Sequence, residues 1–187
     1  MEQPWLVFIP QLPASPSSLR VLVWRRMRTA GAAALQQGVW VLPQTSEHEQ
    51  FLRDVLREAQ QQGGSGMLLV ATSLDTDQAT EVVERFRADR DQEYQEFGVQ
   101  CRDCLAEIAR ETAAHNLSFA ALEENEHDLQ KLHTWLEKIR TRDFFGAPQA
   151  RAAAEALAAC ERALHDFAEA IYAREGLQGH GRDEHEH

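Results

Sequence analysis

The stretch "LRVLVWRRMRTAGAAALQQGVWVLP" (residues 19–43) changes its hydrophobic period part-way along. Leu19, Leu22, Val23, Met27 and Ala30 recur at spacings of three and four, which predicts an amphipathic helix, and Gly31 is its natural stop. From Ala32 onward, "AAALQQGVWVLP" predicts two short strands around a turn at Gln37-Gly38. Upstream, "WLVFI" (residues 5–9) predicts a buried strand stopped by Pro10 and Pro13. Ser15-Pro16 then supplies an N-cap and a proline at the first helical position. Downstream, Thr45-Ser46 opens the next helix, and Ser46 with Glu49 fits a capping box. Leu52, Val55, Leu56 and Ala59 form the apolar face of that helix, "GGSG" ends it, and "MLLVA" (residues 67–71) is the last strand. The order is β-α-β-β-α-β. It predicts a ferredoxin-like subdomain over residues 1–75, with two helices on one side of a four-stranded sheet.

Beyond Thr76 only the helical period persists. Val83, Phe86, Tyr94, Phe97, Cys101, Leu105 and Ile108 trace one face of a long helix ending near His115-Asn116. Ser118 caps a second, with Leu122, Leu129, Leu132, Leu136 and Ile139 on its face, and Gly146 and Pro148 break the chain after it. A third runs from Ala150 to Arg174, with Leu157, Cys160, Leu164, Phe167 and Ile171 inward and Gly176 as its stop. The expectation is an α+β protein whose second part, residues 76–176, is an antiparallel three-helix bundle. The remaining "LQGHGRDEHEH" (residues 177–187) has no apolar periodicity and is expected to be a mobile His/acid-rich tail.

The chain has 187 residues, enough for one good core or two small ones. Its apolar runs are too short to span a bilayer, no secretory signal is recognisable, and three cysteines suit a reducing compartment. A cytoplasmic protein without membrane contact is expected. The formal net charge of −11 is unevenly spread. Residues 1–75 hold six Lys and Arg against six Asp and Glu, and residues 76–187 hold 13 against 24. Bulk charge therefore gives little help in attracting nucleic acid, and any anion site must be local.

Local cations are what residues 20–28 supply. Arg25 and Arg28 share a side of the predicted helix, Arg26 is adjacent, and Arg20 lies off that line. Two readings stand: a solvated face flanking Trp24, or an anion site built from guanidinium forks. In "RFRADRDQEYQEF" (residues 85–97), Arg87 with Asp91 and Arg90 with Tyr94 predict local satisfaction. In "EKIRTRDFF" (residues 137–145), Lys138 and Arg142 stand four apart and join the candidate anion set. Cys101 and Cys104 form a CxxC, but on the apolar stripe of a helix, which favours core thiols over a redox or metal motif. Glu111/His115, Glu123/His127 and Glu161/His165 recur at helical spacing, but only one Glu-x-x-His is present where a di-iron bundle needs two. His180, His185 and His187 are weak candidate metal ligands in the tail. No phosphate loop, nucleophile elbow or His-Glu-x-x-His motif occurs, so neither catalysis nor a cofactor is expected.

Five blocks together resemble one family: residues 19–43, "FRADRDQEYQEF", "LAEIARET", "FAALEENEHDLQKLHTWLEKIRTRDFFGAP" and "CERALHDFAEAIYAREG". They resemble the N-terminal domain of ChrB-type chromate-resistance regulators, in this order and over nearly the whole span from Trp5 to Gly176. The first block is also similar to the sheet domain of phenylacetate-type repressors, with a Cas2-like ferredoxin fold. The resemblance implies a regulator encoded beside a chromate efflux transporter and responsive to the chromate dianion. It gives Arg20, Arg25, Arg26 and Arg28 a tetrahedral oxyanion or a promoter DNA phosphate to face. Regulators of this type usually carry a second, C-terminal domain, and the chain is expected to be a stand-alone version whose other half is a separate polypeptide. Two alternatives remain: a chromate-reducing enzyme using Cys101 and Cys104 or a metal, and an acidic interaction module that docks a separate partner domain.

Overall fold

The computed structural model describes residues 4–15 and 17–180, with side chains through 176. Its elements are β1 (Trp5–Gln11), α1 (Ser18–Thr29), β2 (Ala33–Gln36), β3 (Val39–Pro43), α2 (Ser46–Gln61), β4 (Ser65–Ala71), α3 (Thr76–Ala113), α4 (Phe119–Arg140) and α5 (Ala150–His180). The chain forms two compact units. Of the described residues, one comprises those up to 90 together with 142–147, the other 91–141 with 148–180.

The first unit is built on a four-stranded sheet in the order β2-β3-β1-β4. All three pairings are antiparallel. Gly38, at φ 77°, turns β2 into β3 where the sequence predicts it. Period two divides the strands between two faces. Leu6, Phe8, Trp40 and Leu42 pack against Leu19, Val23 and Met27 of α1 and Leu52, Val55 and Ala59 of α2. Each such buried Leu, Val or Phe contributes about 1.5–3 kcal/mol relative to exposure. Trp5, Ala33 and Val41 on the opposite face pack against Phe86 of α3, flanked by Val82, Val83, Phe144 and Phe145. The Trp5 and Phe86 rings stack 5.8 Å apart at 13°.

Gly176 does not stop the last helix as expected: α5 runs through it to His180, so 177–180 belong to the helix rather than to a tail. Three further local expectations shift. β1 runs through Pro10 and pairs it with Gly66. This is tolerated because β3 pairs only with Trp5–Phe8, leaving the other side of Pro10 without a strand to receive an N–H. The cap of α1 is Ser17 rather than Ser15, its side chain makes no capping bond, and Pro16 lies outside the described residues. At α2 the cap is Thr45, whose hydroxyl accepts from His48 N at 3.1 Å. Glu49, one residue past the N3 position of that cap, instead accepts from Arg53.

The second unit draws on α3, α4 and α5. Ile108 of α3, Ala121 and Leu122 of α4, and Leu164, Phe167 and Ile171 of α5 share one apolar cluster. Ser118 caps α4 as its sequence indicates, accepting from Ala121 N. α3 ends at Ala113, and His115 adopts φ 57° just beyond it.

Candidate functional site

The buried stripe of α1 leaves Arg20, Val21, Trp24, Arg25 and Arg28, at spacings of one, three and four, on its outer side. Val21 is 44% and Trp24 55% exposed, uncommon for a Trp. The four arginines of α1 are not equivalent. Arg26 reaches α2, where it pairs with Glu58, and its guanidinium lies 5.5 Å from the centroid of the Phe51 ring. Arg28 donates to the Asp89 carboxylate at 2.8 Å. Arg20 donates to the Ala14 carbonyl at 2.9 Å, a neutral partner that leaves its charge uncompensated. Arg25 is exposed and has no hydrogen-bond or ion-pair partner among the described residues. Two of the four thus keep their charge available beside an exposed indole.

Behind α1 lies a second arginine group, Arg90 and Arg142, which the sequence read as a locally satisfied side chain and a candidate anion ligand. Arg90 is only 2% exposed. Gly31 adopts φ 77°, and a Cβ built there would sit 2.8 Å from Arg142 Cβ and 3.1 Å from Arg90 Nη1. Gly31 N donates to Arg28 O, so Arg90 and Arg142 meet the chain at the C-terminal end of α1. There the unsatisfied carbonyls of the last turn favour cations. The signal for Arg90 was present in the sequence. It lies four after Phe86 and four before Tyr94, on the stripe α3 buries. α4 ends at Arg140, so Arg142 lies past the helix and does not share a helical side with Lys138, which is exposed on α4. Arg87, expected to pair with Asp91, donates to Glu84 and to the Phe145 carbonyl. Asp91 accepts from Gln149 N.

In the second unit the three cysteines converge. Cys101 and Cys160 are buried, Cys104 is partly buried, and none is in a disulfide. The Cys160 thiol donates to the Cys101 carbonyl across 59 residues of sequence, at 3.4 Å. Burial pushes Cys104 and Cys160 up to about 11, and burial also raises Cys101. Cys104 borders a groove of about 540 Å3 lined by Asp103, Glu107, Glu111, Glu124 and Asp128. Thiols held protonated are poor nucleophiles, and the five carboxylates around Cys104, against the single cation Lys131, disfavour an oxyanion there.

Two of the three Glu/His spacings resolve into other contacts, while Glu123 and His127 stay together on the rim of a surface pocket. Glu111 accepts from the buried Asn125, and Glu161 pairs with His133 at 3.0 Å. Among the described residues no group of three His, Cys, Asp or Glu side chains is placed to hold a metal ion. His180, His185 and His187 lie outside the described side chains. No described helix is long and apolar enough to cross a membrane.

The family model described as "Protein ChrB, N-terminal" matches residues 20–178. A curated relative, Protein ChrB of Cupriavidus metallidurans, is 28% identical over 170 residues. That alignment covers 91% of this chain and 47% of the relative, so the chain spans about half the length of the protein it matches. No solved structure matches the chain. The chain belongs to the ChrB N-terminal family.

Proposed function

We propose that this ChrB-family chain is a regulatory module of chromate resistance, and that the outer face of α1 is where its sheet unit meets an anion. Family membership supports the association with chromate resistance. The observation that carries the anion contact is the unequal state of the α1 arginines. Arg26 and Arg28 are matched by Glu58 and Asp89, whereas Arg20 and Arg25 flank the exposed Trp24 with no acidic partner. Guanidinium forks beside an indole suit phosphate oxygens, and residues 1–75 carry no net charge to oppose the approach of DNA. A chromate response requires the dianion to bind one state of the protein better than another, because equal affinity shifts nothing.

The test is fluorescence anisotropy of labelled DNA from upstream of the chain's own gene, titrated at several salt concentrations with chromate, and with sulfate as the control dianion. The expected result is saturable binding that chromate releases and sulfate does not. R20A/R25A should bind more weakly and reduce the salt slope by about 1 for each phosphate that the two guanidinium groups neutralise. An unchanged slope in that variant removes α1 from the interface.

Thiol-based reduction of chromate is the weaker reading. The cysteines are held protonated by burial, and Cys104 is approached through a carboxylate-lined groove. Docking of a separate partner domain draws support from the excess of Asp and Glu over residues 76–187, which would favour a basic partner surface.

A further inference from the structure

The two edges of the sheet are treated in opposite ways. β2 is four residues long, its pairing with β3 is irregular between Ala34 and Gln36, and Arg85 donates to the carbonyls of Ala34 and Leu35. A short edge strand, a register break and a capping cation are devices that keep an edge from pairing with another chain. β4, at the other edge, has none of them. It pairs with β1 without a break over Ser65–Ala71, its sequence "SGMLLVA" holds no charge and no proline, and no described strand lies on its other side.

Its apolar side chains are also exposed on both faces. Met67 (55%) and Leu69 (43%) stand beside the partly buried Ile9 and Val7 on one face. Val70 (59%) stands beside Leu6 on the other, over a recess of about 100 Å3 rimmed by Glu49 and Arg53. Leu74, just past the strand, is 90% exposed.

We propose that β4 is a pairing edge for a second copy of this chain, the two strands running antiparallel about a two-fold axis at Leu68. Three observations select a second copy over a peptide of another kind. That register is self-complementary: Met67 meets Leu69 of the other copy, and the exposed Val70 meets Gly66, which has no side chain to compete for the space. The rim carries one acid and one base, so it selects neither an acidic nor a basic partner. Finally, residues 1–75 are neutral in a chain of net charge −11, so this half approaches its copy without the repulsion the rest would impose. The edge then gains a ladder of backbone hydrogen bonds, and six exposed apolar side chains, three from each copy, are buried.

Light scattering on the eluting chain, over a range of loading concentrations, tests the proposal. The expected mass is twice 21.2 kDa at high concentration, falling toward 21.2 kDa on dilution. M67K/L69K places like charges opposite one another and should weaken association at least about 100-fold, with an unchanged circular dichroism spectrum because both positions are largely exposed. In the unaltered chain, amide exchange over residues 65–71 should slow as concentration rises, a readout that does not depend on the variant folding. A chain of 21.2 kDa at every concentration overturns the proposal and leaves the edge to a different strand. A dimer that M67K/L69K leaves intact, or one that leaves exchange in 65–71 unchanged, overturns it equally.

Discussion

Replacing Gly31 by alanine tests the arrangement that joins residues 142–147 to the sheet unit. Two costs add at this position. The backbone sits at φ 77°, and a residue with a Cβ costs about 1–2 kcal/mol there. The new methyl would also lie 2.8 Å from Arg142 Cβ and 3.1 Å from Arg90 Nη1, inside contact distance. The first of those atoms is close to the backbone and cannot swing away, so an overpacking cost of about 1–3 kcal/mol follows. The expected total is about 2–5 kcal/mol. Gly38 separates the two costs, since it has the same φ of 77° with nothing within 4 Å of the built Cβ. G38A should therefore cost only the conformational part. Denaturant unfolding followed by tryptophan fluorescence reports on this unit, because Trp5 and Trp40 are buried in it. The difference between the two variants measures the close approach. Equal losses for G31A and G38A would refute the packing of Arg142 against the end of α1.

Two further predictions concern the second unit. Cys104 and Cys160 are raised from 9.0 to about 11 by burial, so the folded state holds protons that the unfolded chain releases. Their contribution to stability is complete below about pH 9 and is lost as pH climbs through about 11, and denaturant midpoints taken across that window should fall with pH, less steeply in C104A/C160A. Asn125 is 3% exposed and donates from Nδ2 both to the Glu111 carboxylate and to the Ala121 carbonyl. N125D replaces that donor with a second carboxylate facing Glu111, and should destabilise by about 3 kcal/mol or more at neutral pH. Thermal melts of N125D should recover part of this loss on acidification toward about pH 4, where one of the two carboxyls takes up a proton and can donate. A melting temperature independent of pH would contradict the contact.

Local chemistry made much of this protein legible in its sequence. The switch from period 3.6 to period two inside residues 19–43 locates α1, β2 and β3, because side-chain direction follows from backbone geometry alone. Gly31, Gly38 and Ser118 mark ends and turns for reasons contained within a few residues. The α1 arginines were visible as a group, but not their different states. Glu58 and Asp89 lie 32 and 61 residues from the arginines they neutralise, beyond the reach of any spacing rule.

The same limit explains the other differences. Pro10 continues a strand because β3 stops pairing with β1 at Phe8. Arg90 reads as a surface cation in a charged run, yet it is buried because Phe86 and Tyr94 carry it to the inner side of α3. Cys160 on α5 meets the Cys101 carbonyl on α3, 59 residues away in sequence. Sequence by itself determined which segments are helix or strand and which sides of them are apolar, since those follow from short-range sterics and periodicity. Tertiary structure alone decided which charges are neutralised, which thiols meet and which sheet edge stays open, because each depends on groups brought together only when distant segments pack.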